Sequence, residues 1–252
     1  YTRAHKVLLE HKQRVLDMAD ALLVRETPEV LGQRRDGAEP GTPMALGTAE
    51  HMASIADQWT AAQAIRTPQF VLMLVCGVAY SVPWNTVVAH LALHLVDVGH
   101  ARTVAIGFVG TMALISIAGR LMGAVGDWIS PQRALAVALA IEGLGTGGLL
   151  LAADTRLANL AIAMIALGFG VAYISIPVVF SHFFGRRAFS VTTGIRMTIT
   201  GVFSGLGPWL AGLAFDANGS YTVPFVGLMA VGLAGAAAAA AMRHPGAPPV
   251  SA

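Results

Sequence analysis

Residues 69–95 read QFVLMLVCGVAYSVPWNTVVAHLALHL and contain no Asp, Glu, Lys or Arg. A helix needs about 20 mostly apolar residues to cross the hydrocarbon core of a bilayer. The run is longer than that, and it lacks the polar–apolar alternation of a transmembrane barrel strand. It therefore predicts a membrane-spanning helix, because in lipid a helix satisfies its backbone hydrogen bonds internally.

Five further apolar runs of comparable length follow along the chain. They cover residues 103–125, 134–153, 157–181, 190–214 and 222–242. Short polar gaps separate the runs, and only 12% of the whole chain is charged, against about a quarter in a typical soluble domain. The predicted fold class is all-α: a polytopic membrane protein with six transmembrane helices over residues 67–243.

The arginines of the polar gaps are divided unevenly between the two sides of such a bundle. Only Arg102 and Arg156 fall on one side. The richer side has Arg66, Arg133, Arg186, Arg187 and Arg243. Because basic loops are retained in the cytoplasm, the richer side is predicted to be cytoplasmic, together with both ends of the bundle. The predicted location is the inner (plasma) membrane of a bacterium.

The gap between the second and third runs carries a charged motif, GRLMGAVGD, over residues 119–127. An arginine one turn inside the membrane can extend to the interface, and an aspartate beside a helix start can accept from free backbone N–H groups. Such a latch could hold neighbouring helices in one state and release them in another. The predicted conformational gate consists of Gly119, Arg120, Gly123, Asp127 and, after the motif, Arg133.

This motif resembles the signature loop of the major facilitator superfamily, which has the form G-R-x-x-G-x-x-x-D followed by basic residues. That family repeats the loop between the second and third helices of its C-terminal half. The segments FGRR (184–187), GPWLAG (207–212) and FDANGSY (215–221) are similar to a pattern of bacterial carriers in the monocarboxylate and oxalate/formate branches. The resemblance covers about residues 59–243, and it departs at 128–132, where WISPQ stands in place of a basic, glycine-rich run.

The resemblance implies a fold of twelve helices in two six-helix halves, of which this chain supplies the C-terminal half. Each half is a 3+3 inverted repeat, and the substrate binds between the halves near mid-membrane. The implied function is secondary transport of small solutes, organic anions in particular, with no cofactor beyond coupling to protons or solute. The expected partners are the lipid bilayer, the solute, and the missing N-terminal half or a second copy. The scattered basic residues indicate no nucleic-acid partner.

Ionisable side chains inside membrane segments are functional candidates because they are costly to place there. Arg196 lies about two turns into the fifth run, roughly 10 Å deep at 1.5 Å per residue, and an arginine can bind a carboxylate in bidentate fashion. It is the leading substrate-binding candidate; a structural arginine that snorkels or pairs is the alternative. Glu142 lies at a similar depth, so it could pair with Arg196 or carry a coupled proton.

Uncharged polar side chains in the helices supply the remaining candidates. Asn85, near the bend expected at Pro83, could hydrogen-bond a substrate, and Tyr173 and Ser175 are further substrate-binding candidates. His90 and His94 share a helix face. Their spacing could suit a metal, but no metalloprotease pattern accompanies them, and interface histidines are the favoured interpretation, so no metal site is predicted.

The first 66 residues have a different character from the bundle. Residues 1–26 have the apolar periodicity of a soluble amphipathic helix. Over residues 1–36 the chain resembles the C-terminal end of the peptidase domain of FtsH-type, ATP-dependent membrane zinc proteases. It has neither a P-loop nor a His-Glu-x-x-His motif, so no enzymatic activity is expected. Residues 37–66 are predicted to be a flexible linker, and 244–252 a disordered cytoplasmic tail.

Two other interpretations of the whole chain stay open at this point. The chain begins at Tyr1 and joins a protease-like tail to half a carrier, which is typical of a fragment or a fusion. In the first alternative the chain is a non-catalytic remnant of the protease, with the bundle as its anchor. In the second it belongs to a drug exporter of the same fold, which would favour a cavity without Arg196.

Overall fold

The structure, a computed structural model, describes residues 59–124 and 129–248. The regular elements within these ranges are all helical. The helix and protease-like segment predicted for residues 1–36, and most of the predicted linker, lie outside the described residues.

The helices follow one another along the chain with short connections. They are α1 (Ala61–Ala64), α2 (Pro68–Asp97), α3 (Arg102–Ala124), α4 (Pro131–Gly148, extended by a 3-10 turn at Leu149–Leu151), α5 (Thr155–Asn218) and α6 (Thr222–Ala241). In the described ranges five helices, α2 to α6, are long and apolar enough to cross a membrane. The prediction of a helical membrane protein is therefore confirmed at this level.

The ends of the helices are set by local chemistry. The Thr67 hydroxyl accepts a hydrogen bond from the Phe70 amide at 3.2 Å, and Pro68 occupies the first turn of α2, where a missing N–H is harmless. The Asp154 carboxylate accepts from the amides of Arg156 and Leu157 at the start of α5. Gly219, in the left-handed region at φ 65°, ends α5, as glycine commonly does.

The outward surface of the bundle is apolar. Several large side chains are more than half exposed: Leu114, Leu121, Leu160, Val202 and Trp209. Soluble monomers rarely expose apolar patches of more than a few hundred Å². Lipid is the environment that accepts such a surface without penalty.

Helix α5 has 64 residues and contains one non-helical residue, Gly185, with φ 61° and ψ −171°. A straight helix of that length would measure about 96 Å, roughly three times the thickness of the hydrocarbon core. Gly185 instead divides α5 into two arms. The first arm covers residues 155–184 and the second arm residues 186–218.

The two arms run in opposite directions along α2. In the first arm, Phe180 meets Phe70 (ring centroids 6.1 Å apart) and Phe169 meets Trp84 (3.8 Å). The first arm is therefore antiparallel to α2.

In the second arm the order is reversed. Thr200 lies against Gly77 and Gly207 against Thr86, so the second arm is parallel to α2. The chain therefore turns back on itself at Gly185.

Backbone-to-backbone contacts at small residues hold the other helices together. A Cβ atom added at Gly232 of α6 would lie 2.6 Å from the Cα of Gly143 in α4, and one added at Gly235 of α6 would meet the Ala79 side chain of α2. In membranes, where lipid is as apolar as the helices, such close approach is a main source of helix association.

The two ends of the described chain meet at the end of the bundle near Gly185. The Trp59 indole donates to the Gly246 carbonyl at 3.0 Å, and the His244 ring bonds the His182 carbonyl at 3.0 Å. Trp59 itself is buried against Phe184. The packed part of the chain thus begins before residue 67, and residues 244–246 are bonded to the bundle although a disordered tail was predicted there.

Candidate functional site

Arg120 of α3 lies over aromatic rings of the first arm. Its guanidinium carbon is 4.6 Å from the ring centre of Tyr173 and 5.8 Å from that of Phe169, within the range of cation–π attraction. The side chain is half-buried and Tyr173 is 46% exposed. Its Nε is buried without a hydrogen-bond partner among the described residues. The positive charge of the arginine therefore lies at a partly open surface.

Close packing of two glycines determines the position of Arg120. A Cβ atom added at Gly170 of the first arm would lie 2.8 Å from the Arg120 amide nitrogen and 2.8 Å from the Gly119 Cα. One added at Gly119 would lie 2.7 Å from the Leu167 carbonyl oxygen. Only glycine at these positions allows the two helices to approach this closely, and the approach places the guanidinium over Tyr173.

Arg196 of the second arm, the leading candidate from the sequence, is in a different environment. It is 3% exposed and lies between the second arm, Gly77 of α2 and Phe180 of the first arm, whose ring centre is 5.8 Å from the guanidinium carbon. Its Nε and Nη1 atoms have no hydrogen-bond partner in the described part of the chain. The arginine is buried inside the bundle, so a solute could reach it only after the helices move.

Glu142 of α4 does not pair with Arg196 in this structure. The carboxyl group is fully buried, and neither oxygen has a partner among residues 59–124 and 129–248. Glu142 packs against Gly168 of the first arm, where an added Cβ atom would lie 2.8 Å from the Glu142 Cβ. Arg196 instead extends towards Gly77. The predicted ion pair is therefore not formed, and a coupled proton on Glu142 stays a prediction.

Replacing Glu142 by methionine is expected to stabilise the protein. A buried polar group without a partner costs about 1–3 kcal/mol, and methionine fills a similar volume without polar atoms. We expect the free energy of unfolding in detergent micelles to rise by about that amount. Glu142→Gln, which keeps an unpartnered polar group, should gain much less. Destabilisation by Met but not by Gln would reveal a stabilising polar partner of Glu142.

The remaining substrate candidates are not gathered around either arginine. Asn85 is exposed, and its side-chain amide donates to the Ser81 carbonyl of its own helix at 2.7 Å. Ser175 is buried and lines a separate apolar groove of about 640 Å³ between α3, α4 and the first arm. Tyr173 is the predicted candidate that the structure brings into contact with an arginine.

The predicted gate is described only in part. Asp127 lies outside the described residues. Arg133 is exposed in the first turn of α4. Gly119 and Gly123 pack on the first arm, with an added Cβ at Gly123 lying 3.1 Å from Ile174. In this structure the two glycines thus serve the contact between α3 and the first arm, and a gating role stays a prediction.

The two histidines of α2 bond neighbouring elements. His90 Nε2 lies 2.9 Å from the Pro208 carbonyl, which can only accept, so Nε2 carries the proton and Nδ1 accepts from the Tyr221 hydroxyl at 3.1 Å. Burial, together with Asp97 and Asp216, raises the pKa of Tyr221, which keeps that hydroxyl protonated.

His94 is buried, whereas the sequence predicted a position at the membrane interface. It is 6% exposed, and its Nε2 bonds the Leu149 carbonyl at 2.9 Å. The histidines therefore connect α2 to its neighbours. Among the described residues no group of three His, Cys, Asp or Glu side chains could hold a metal ion.

No protein-family model matches the chain, and no curated protein matches it. The bundle and its arginines Arg120 and Arg196 are therefore the features from which a function can be inferred.

Two of the residues that matter most were absent from the sequence-based candidates. Neither Phe169 nor Gly170 has a polar side chain. The Phe169 ring lies under the Arg120 guanidinium, and Gly170 allows the α3 backbone to approach closely. A signal did exist, since the spacing of Phe169 and Tyr173 places both rings on one helix face.

Proposed function

We propose that the bundle is one half of a secondary transporter of small organic anions. The observation that carries the proposal is Arg120, a partly exposed cation in an apolar helix. Its Nε has no hydrogen-bond partner in the described residues. Arginine stays charged at any physiological pH, and a charge inside the membrane is retained only where it has a use or a partner. An anionic solute would compensate this charge.

The two arms of α5 are proposed to cross the membrane separately, which gives six crossings in all. Three observations support this proposal: the length of α5, the reversal at Gly185, and the opposite directions of the arms along α2. With six crossings both ends of the bundle lie on one side, and the arginine bias makes that side cytoplasmic. The resemblance to the major facilitator superfamily leads to the same count and to a 3+3 repeat.

Two helix faces are open for packing against the missing half of the transporter. Gly107 and Gly110 of α3, and Gly201 and Gly205 of the second arm, have nothing within 4 Å of an added Cβ atom. Other glycines of the bundle, such as Gly119, Gly143 and Gly232, lie at helix contacts. Because small residues let helices approach closely, we assign these two faces to contact with a second six-helix bundle, either the N-terminal half or a second copy.

The proposed mechanism is rocking of the two halves about a central site. The solute carboxylate binds Arg120 on one side of the site, and the other half completes the enclosure. Arg196, buried behind α2, would become accessible only if the arms separate during the cycle. Asp127 and Arg133 keep their predicted role at the cytoplasmic gate. We assign the chain no catalytic activity.

Two other interpretations of the chain receive less support. An exporter of neutral hydrophobic compounds would gain nothing from an uncompensated cation at a partly open surface, so Arg120 counts against it. The protease-remnant interpretation rests on residues 1–36, which lie outside the described residues.

A binding assay tests the proposal on the chain itself. The 252-residue chain is placed in lipid nanodiscs, and binding of radiolabelled benzoate, lactate and oxalate is measured by scintillation proximity. We expect saturable binding of at least one anion and at least a ten-fold loss in Arg120→Gln, since a charge-assisted bidentate contact is removed. Arg102→Gln, at the other end of α3, is the matched control and should bind normally.

Two results would contradict the proposal. One is the absence of saturable binding for every anion by a chain that is folded and monodisperse. The other is undiminished binding by Arg120→Gln.

A further inference from the structure

Four aromatic rings form a contiguous cluster beside Arg120, which we call the aromatic shelf: Tyr80 and Trp84 of α2, and Phe169 and Tyr173 of the first arm. Trp84 stacks on Phe169 with ring centroids 3.8 Å apart and planes 11° apart. Tyr80 lies 5.7 Å from Phe169 at 24°, and Tyr173 lies 6.1 Å from it. The shelf therefore joins two helices, and the cation lies at one end of it.

The shelf is not simply part of the hydrophobic core. Phe169 is buried, but Tyr80, Trp84 and Arg120 are half-buried and Tyr173 is 46% exposed. Phenol and guanidinium groups are unfavourable against acyl chains. A surface that combines them with open ring area is better matched to a water-filled cavity than to lipid.

We propose that the solute is a small aromatic carboxylate, with its carboxylate on Arg120 and its ring on the shelf. This inference rests on the proposed function and adds the chemical class of the substrate. Arginine offers a planar fork to a carboxylate, and aromatic rings pair at centroid distances of about 4.5–7 Å. An aliphatic acid of two or three carbons could reach the arginine but would leave the ring surface uncovered.

Benzoate and cyclohexanecarboxylate test the class of the solute directly. They have the same charge and the same number of carbons, but only benzoate is planar and aromatic. Aromatic pairing beyond area burial corresponds to about a 2- to 10-fold difference in Kd, so we expect benzoate to bind more tightly than cyclohexanecarboxylate by that factor. Lactate, which lacks a ring, should bind more weakly than either. The chain in nanodiscs is used, with unlabelled acids competing against radiolabelled benzoate.

Two variants test whether the aromatic shelf causes the preference for benzoate. Trp84→Leu and Tyr80→Leu should bring the Kd ratio of cyclohexanecarboxylate to benzoate close to one, while Arg120 still binds both acids. Trp209→Leu is the matched control, because Trp209 is 59% exposed on the second arm and does not belong to the shelf; its ratio should equal that of the parent chain. Tyr80→Leu serves where Trp84→Leu lowers the thermal stability of the bundle.

The outcomes separate the two proposals. A preference for benzoate that disappears in the shelf variants supports the aromatic class. Equal binding of benzoate, cyclohexanecarboxylate and lactate, all lost in Arg120→Gln, overturns the aromatic class and leaves the anion transporter standing. Failure of every anion to bind overturns both.

Discussion

Gly185→Val is expected to destabilise the bundle strongly. Gly185 has φ 61° and ψ −171°, a combination open almost exclusively to glycine, and forcing another residue into it costs about 1–3 kcal/mol. A β-branched side chain adds to that strain. We expect a free energy of unfolding in detergent that is lower by at least this amount, because no other residue makes the turn between the arms.

The matched control is Gly194→Val. Gly194 is in the second arm and has nothing within 4 Å of an added Cβ atom, so valine there should leave stability nearly unchanged. If Gly185→Val proved as stable as Gly194→Val, α5 would not need its one-residue turn, and the separation into two arms would be refuted.

Gly170→Leu is expected to displace α3 from the first arm and to abolish anion binding together with much of the stability. The added side chain would meet the backbone of Ser116, Gly119 and Arg120, none of which can move by a rotamer change. Overpacking of a tight contact usually costs about 1–3 kcal/mol, and occasionally more. Arg120 would lose its place over Tyr173, so binding should fall even in molecules that stay folded.

Thermal unfolding and anion binding, measured on the same preparations, distinguish the two effects. Gly227→Leu in α6 is the control, since nothing lies within 4 Å of an added Cβ atom at that position. Gly170→Ala should show a smaller loss of the same kind. Normal binding and stability of Gly170→Leu would mean that α3 is not seated on the first arm as described.

Most of the helical architecture could be predicted from the sequence, because lipid imposes a simple length rule. The run 222–242 was predicted within one residue of the observed end of α6 (Thr222–Ala241). The prediction was least accurate for the gap around Arg186 and Arg187. There the apolar runs stop, but the helices continue to within one residue of each other, since interfacial charges do not end a helix and a single glycine completes the turn.

The candidate site was harder to predict, because depth in the membrane does not determine which face of a helix is open. A helix that is apolar on all sides has no periodicity to reveal its buried face. Arg196 and Arg120 are both arginines in apolar runs, yet Arg196 is 3% exposed and Arg120 half-buried. The difference arises from contacts between residues distant in sequence: Gly77 and Phe180 cover Arg196, whereas Arg120 lies over the partly exposed Tyr173.

The most direct test of the account is the sidedness of the two arms of α5. Single cysteines replace Arg156, Arg187 and Asn218, one at a time, in a Cys76→Ala background, and sealed vesicles are labelled with a membrane-impermeant maleimide. If each arm crosses the membrane once, positions 156 and 218 react from one side and position 187 from the other. Labelling of positions 156 and 218 from opposite sides would contradict this arrangement.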